Sequence, residues 1–272
     1  MEVLQPSSRD ECCRLAREAA RDAGIVLAAG GDGTVSLVAS AVAGAEAVLA
    51  VLPFGRGNDF ARTLGMRLDV AGAVQDILAG QPRPMDLGYI EGTDTTFVNV
   101  CGIGFDAAVA ERVNRRRGRL SGAAAYTVCL LAELAALRPL NLHVCLDGQA
   151  IETTATLVAV ANARSYGGGM RIAPQARLDD GLLDVCVVRI ANRARFLANF
   201  PKVFRGTHLR HPLVDLYRAR GVSIGTQEHA PVMVDGDLWG RAPVTFGLRP
   251  KALRVVVPPR PTTAFGQEKV GG

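Results

Sequence analysis

The chain is poor in aromatic side chains, histidine and lysine. Aromatics make up 5% of its 272 residues, too few for a surface on which nucleic-acid bases would stack. No nucleic acid partner is therefore expected. The six cysteines (Cys12, Cys13, Cys101, Cys129, Cys145 and Cys186) show no C-x-x-C spacing, which argues against a zinc site and a disulfide framework and leaves them as buried thiols. Apolar runs stop far short of the roughly 20 residues a membrane-spanning helix needs. The opening MEVLQPSSRDECC is charged and has no apolar core, so no secretory signal is read and a cytoplasmic location is expected.

What the chain does have is 49% hydrophobic residues, 30 glycines and a net charge of +5 carried mostly by arginine, since of 31 basic residues only Lys202, Lys251 and Lys269 are lysine. Such a composition suits one large or two smaller folded domains, and its basic surface favours phosphates or anionic membranes.

Along residues 9–90 helical and strand-like segments alternate. The periodicity predicts a helix over 9–23 closed by Gly24, a buried strand over 25–29, a helix over 35–44 and a second buried strand over 47–54. Short helices then lead to MDLGYI. This alternation points to a parallel α/β sheet. From Tyr89 onward the pattern changes to short strands separated by turn pairs such as Asp147-Gly148, as in antiparallel hairpins. Helical insertions interrupt them over 120–137 and in RARFLANFPKVFRG. The expected organisation is an α/β domain over 1–90, a mainly β domain over 91–260 and a flexible tail over 261–272.

Two glycine-rich turns carry the chemistry. In Gly30-Gly31-Asp32-Gly33-Thr34, three glycines sit between a strand and a helix, where backbone N–H groups can converge on phosphate with no Cβ in the way. Asp32 would repel that phosphate unless it holds Mg²⁺, caps the loop or meets a cation. The turn fits neither G-x-G-x-x-G nor G-x-x-x-x-G-K-[ST], and a plain tight turn is the alternative. The second turn, Gly55-Arg56-Gly57-Asn58-Asp59, repeats the logic after the next strand, with Asn58 as a helix N-cap. Together the two would form one crevice.

GGDGT followed by P-x-G-x-G-N-D-F-A-R resembles the catalytic domain of the diacylglycerol kinases and the related sphingoid and bacterial lipid kinases. FVNVCGIGFDAAVA, ANARSYGGGMRIAPQARLDDGLLDV and VDGD look like the landmarks of the family's β domain, in the same order. NAD kinases share GGDGT but not this second half. The resemblance implies an α/β nucleotide-binding domain, N-terminally short and lacking the usual first strand, followed by a β-sandwich domain of NAD kinase/diacylglycerol kinase-like fold.

That resemblance also implies roles. Gly30, Gly31, Asp32, Gly33, Thr34, Val35, Ser36 and Leu37, with Gly55, Arg56 and Asn58, would bind ATP. Asp32, Asp59 and Asp86 would form an acidic network around Mg²⁺, a sensible arrangement for phosphoryl transfer. Asp237 of VDGD would take the proton from the lipid hydroxyl where the family has Glu, and Asp235 lies in the same turn. Arg177 and Leu182 by their carbonyls and Asp180 by its carboxylate would hold a structural Mg²⁺, the alternative being an ordinary Asp-Gly turn. Departures from the family pattern are Ser36-Leu37 in the first loop, Arg56 in place of Thr, and Asp237 in place of Glu.

Five arginines within 111–119 precede the apolar helical segment 123–137, a pairing that suits peripheral attachment to a membrane holding the lipid substrate. A homodimer is left open. The expected activity is ATP-dependent phosphorylation of diacylglycerol or a similar lipid. The competing expectation is a non-catalytic member that binds lipid or nucleotide.

Overall fold

The computed structural model describes residues 2–115 and 123–259, so the tail expected over 261–272 and Arg116, Arg117 and Arg119 of the basic run lie outside the described residues. Helix α1 (Arg9–Asp22) begins with Ser8 as N-cap, whose Oγ accepts from Glu11 N, while the Glu11 carboxylate accepts from Ser7 N, one residue earlier. Gly24 does not end it as a left-handed cap. The chain leaves the helix through an extended Ala23 (φ −99°, ψ 137°) and enters β1 (Ile25–Gly30) directly.

Helix α2 (Asp32–Val42) and strand β2 (Val48–Pro53) follow, and β1 pairs with β2 in parallel from Ile25 opposite Val48 to Gly30 opposite Pro53. This register brings both glycine turns to the same edge of the sheet. Helix α3 (Asp59–Leu64), helix α4 (Val70–Ala79) and strand β3 (Gln81–Ile90) complete the first unit. Its core, among them Val35, Ala39, Leu49, Phe60 and Leu87, packs α1 and α2 against the sheet.

The remaining chain supplies β4 (Thr96–Phe97), β5 (Val100–Gly104), α5 (Phe105–Arg115), α6 (Ala123–Ala135), β6 (Leu140–Leu146), β7 (Gln149–Ala155), β8 (Leu157–Ala161), β9 (Leu183–Val188) and α7 (Arg193–Asn199). Two 3₁₀ turns (Phe200–Arg205 and Thr207–Arg210) lead to β10 (Val214–Ala219), β11 (Gly221–Gly225), β12 (Pro231–Val234), β13 (Asp237–Arg241) and β14 (Val244–Val257). The strands β10-β9-β8-β5-β12-β13 form one antiparallel sheet. It packs on β6, β11 and the start of β14 through Ile103, Val158, Val185, Val232, Leu142, Val222 and Phe246. Helices α5 and α7 cover its other face through Phe105, Val109 and Phe196. Being covered on both faces, β5, β8 and β9 are buried along their whole length, which is why they read as unbroken apolar runs.

A boundary near residue 90 does not divide the sheets. Strand β14 begins beside β11, passes an irregularity between Arg249 and Leu253, and ends parallel to β2 with Val255 opposite Leu49. It pairs with β3 from Phe246 opposite Ile90 to Val257 opposite Gln81. One eight-stranded sheet therefore runs through both units. The cysteines are all free thiols, four of them buried, and no helix among the described residues is long and apolar enough to cross a membrane.

Candidate active site

The two glycine turns touch backbone to backbone. Phe54 N donates to Gly30 O at 2.9 Å, and a Cβ on Gly55 would come within 2.5 Å of Gly31 Cα. No side chain fits between them, so glycine is required by space alone. Gly31 stands at the N-cap of α2 with no side chain to satisfy the first-turn amides, which leaves them for an anion.

Asp32 does not face that anion head-on. Its Oδ1 accepts from the amides of Asp59 (2.6 Å) and Phe60 (3.3 Å), so it caps α3 across the crevice. Asn58 occupies the N-cap position in a left-handed conformation (φ 53°) but caps nothing. Its side chain closes the turn on itself through Gly55 N and Gly55 O. The other oxygen of Asp32 points toward Gly57, where a Cβ would come within 2.7 Å of it.

Asp59, 3% exposed, joins the two units. Its carboxylate accepts from Gly168 N and Gly169 N, both at 2.7 Å. These glycines adopt φ 83° and 104°, the left-handed region in which a side chain is strained. The sequence marked SYGGGM as a landmark without assigning it this role.

Asp235 is a hub within the β unit and not a free base. It accepts from Val98 N, Asn99 N and Val100 N, and from Ser36 Oγ at 2.7 Å. Ser36 is thus taken up by a structural bond, while Val35 and Leu37 turn into the α/β core. Asp237, two residues on, is exposed and pairs with Arg9 at 2.7 Å. Asp86 lies apart from the crevice: it accepts from Gly181 N and Lys251 N, fixing the irregularity in β14.

These groups frame a cleft of about 320 Å³ whose walls are Asp32, Arg56, Gly57 and Asp59 on one side and Asn99, Tyr166, Gly168, Asp235 and Gly236 on the other. Burial raises the carboxyl of Asp32, and the neighbouring charge of Asp59 raises it further, against amide hydrogen bonds that lower it. Burial likewise raises Asp235 against its four donors. A cation entering the cleft relieves Asp32 of that repulsion.

Asp180, expected to hold a structural Mg²⁺ with the carbonyls of Arg177 and Leu182, already has a cationic partner. Asp180 is paired with the Arg218 guanidinium and accepts from Leu182 N at 3.2 Å, and Arg177 pairs with Asp179 at 3.1 Å. Arg218 also lies 3.7 Å from Asp184, a buried carboxyl raised to about 6 chiefly by desolvation. Among the described residues no cluster of three His, Cys, Asp or Glu side chains is placed to bind a metal.

Beyond Tyr166 lies an apolar cavity, walled by Phe105, Val109, Ile172, Val188, Phe196 and Val203 among others. Its buried acid, Asp106, accepts from Tyr166 Oη at 3.2 Å and is raised by desolvation to about 6.

A parallel α/β unit with glycine turns at its strand ends, completed by a β-sandwich that returns a strand to it, is the NAD kinase/diacylglycerol kinase-like architecture. Residues 1–90 match the diacylglycerol kinase catalytic domain, and residues 99–257 match the YegS C-terminal NAD kinase beta sandwich-like domain. The chain is 36% identical over 266 residues to a diacylglycerol kinase of Mycobacterium tuberculosis strain H37Rv, covering 95% of this chain and 84% of the relative. Over 247 residues it is 31% identical to a diacylglycerol kinase of Bacillus subtilis strain 168, covering 89% and 81%. It superposes with a TM-score of 0.79 on the crystal structure of a Bacillus anthracis str. Sterne protein provisionally named a diacylglycerol kinase, at 26% identity over 95% of this chain and 84% of that one. The chain belongs to the diacylglycerol kinase family of lipid kinases.

Proposed function

We propose that the chain transfers the γ-phosphate of ATP to the hydroxyl of diacylglycerol or a similar lipid. The observation that carries this reading is the position of Tyr166, which lines both the acidic cleft and the apolar cavity. A molecule with a hydroxyl at one end and acyl chains at the other suits that pair of compartments.

In this reading the amides at the start of α2 and the Arg56 guanidinium bind the nucleotide phosphates. Asp32 offers an oxygen to the divalent cation that the nucleotide brings, which neutralises charge on the phosphates when bound. Asp59 fixes the Gly168 loop and so sets the width of the cleft. The lipid oxygen attacks the γ-phosphorus, the bond to the β–γ bridging oxygen breaks, ADP departs with that electron pair, and the hydroxyl proton passes to the Asp237 carboxylate. For that last step Arg9 must release Asp237.

The Arg9–Asp237 pair equally favours a second reading, a member that binds lipid or nucleotide without turnover. Labelled ATP, Mg²⁺ and a panel of lipid hydroxyls in mixed micelles decide between them. Transfer lost in Asp32→Asn, with unchanged melting, supports the kinase; no transfer by folded protein supports the binding reading.

A further inference from the structure

The segment that walls the apolar cavity has a second, outward face. Over α7 and the 3₁₀ turns, Phe196, Val203 and His208 are buried toward the cavity. Leu197 (52% exposed) and Phe204 (47%) project the other way, and α6, which packs against α7, exposes Val128 (40%). Large apolar side chains at this exposure in one short segment are unusual for a free surface.

The segment that carries Leu197 and Phe204 has charge of one sign. Between Asp184 and Asp215 the sequence contains no Asp or Glu, but it contains Arg189, Arg193, Arg195, Lys202, Arg205 and Arg210. Arg189 pairs with Asp215, and Lys202 donates to Asn199. Arg193, Arg195, Arg205 and Arg210 form no ion pair among the described residues, and all four are exposed.

We propose that the outward face of the α7–3₁₀ segment docks on an anionic lipid bilayer, with Leu197 and Phe204 entering the interface and the four free arginines meeting the head groups. The charge complementarity selects a bilayer over an apolar protein partner, because the segment that carries Leu197 and Phe204 bears six cations and no acid. The inner face of the same segment walls the cavity, so docking sets the cavity directly over the membrane. The sequence nominated another set for membrane contact, the arginines within 111–119 with the apolar segment 123–137, of which Val128 alone is counted in this face. The proposal rests on the lipid-kinase reading only for what the docked enzyme does there, and adhesion is measurable without turnover.

The test is sedimentation with phosphatidylcholine vesicles, with and without phosphatidylglycerol, for the full chain and two variants: Arg193→Glu/Arg205→Glu and Leu197→Ser/Phe204→Ser. The chain is expected to sediment only with the anionic vesicles. Each cation near an anionic surface strengthens partitioning about five-fold, so the charge-reversed variant should lose adhesion by a factor of about 25 or more. The apolar variant should lose about ten-fold. Melting midpoints equal to the parent's show that both variants fold. A Phe204→Trp variant should be quenched by brominated acyl chains. Transfer to a short-chain, monomeric diacylglycerol should be unchanged in both double variants, which separates a docking defect from failure of the kinase reading. Equal adhesion by the charge-reversed variant, no quenching at position 204, or preference for polyuridylate over vesicles overturns the proposal.

Discussion

Asp32 accepts the backbone amide of Asp59 at 2.6 Å, so the acid of the first glycine turn holds the helix that begins with the acid of the second. Asp59 in turn grips Gly168 and Gly169. A chain of two carboxylates therefore crosses the cleft, each anchored by backbone amides.

Asp32→Ala removes a helix cap as well as a cleft carboxylate. It should cost about 1 kcal/mol of stability and abolish transfer, whereas Asp32→Asn should keep most of the cap and still lose transfer by on the order of a hundredfold or more. Thermal melts beside labelled-ATP turnover separate the two contributions. Full activity in Asp32→Asn would remove this residue from the mechanism.

Two acids of one turn should separate sharply. Asp235→Ala strips four donors of their acceptor inside the protein and should cost on the order of 3 kcal/mol or more. Asp237→Ala breaks only an exposed ion pair, so stability should move by less than about 1 kcal/mol while transfer falls about a hundredfold. Urea midpoints and turnover of the two variants provide the comparison, and equal destabilisation would contradict it.

Arg56 is exposed in the cleft and has no ion-pair partner among the described residues. Its replacement by Ala should weaken binding of a non-hydrolysable ATP analogue about ten-fold, more at low salt than at high salt. Calorimetric titration at two ionic strengths reads this directly. Tighter binding in the variant would show that the arginine obstructs the pocket.

The unfolding free energy should fall as pH rises from about 4 to about 6. Asp106 titrates near 6 in the folded chain against an ordinary 3.8, so across that window the folded state holds a proton the unfolded state has released. At about 1.4 kcal/mol per unit the effect is at most on the order of 3 kcal/mol. Asp184 titrates in the same range and Asp32 and Asp235 are also raised, so Asp106→Asn should remove part of the slope in denaturant midpoints taken at pH 4, 5 and 7. An unchanged slope would locate the proton elsewhere.

Stripping divalent ions with EDTA should leave the melting midpoint of the apoprotein unmoved, because Arg218 already neutralises Asp180. Arg218→Ala should lower that midpoint and make it rise again with added Mg²⁺. A midpoint that falls with EDTA in the parent chain would restore a metal to this loop.

What could be read in advance was local. Gly30, Gly31, Gly55 and Gly57 declared themselves because each lacks a Cβ for a steric reason visible in a few residues of sequence. The β unit was legible from alternation and turn pairs. The bonds Asp59–Gly168, Ser36–Asp235 and Arg9–Asp237 join positions more than a hundred residues apart, and no periodicity encodes them. Val35 and Leu37, expected as nucleotide contacts, turn their side chains into the core because a loop motif continues into a helix, and a helix must bury one side. Arg218 was invisible for a simpler reason: a guanidinium can stand in for a metal from any strand that passes near.

Leu49 acquires its neighbour Val255 more than two hundred residues later. During synthesis from the N-terminus, the α/β unit leaves the ribosome with the β2 edge bare, and it stays bare until β14 emerges. If the first unit folds before the rest is made, it does so with that edge unpaired. Nascent chains stalled before residue 244 should remain open to protease around β2, and those released after 257 should close. Vectorial assembly thus ties the readiness of the nucleotide side to completion of the lipid side.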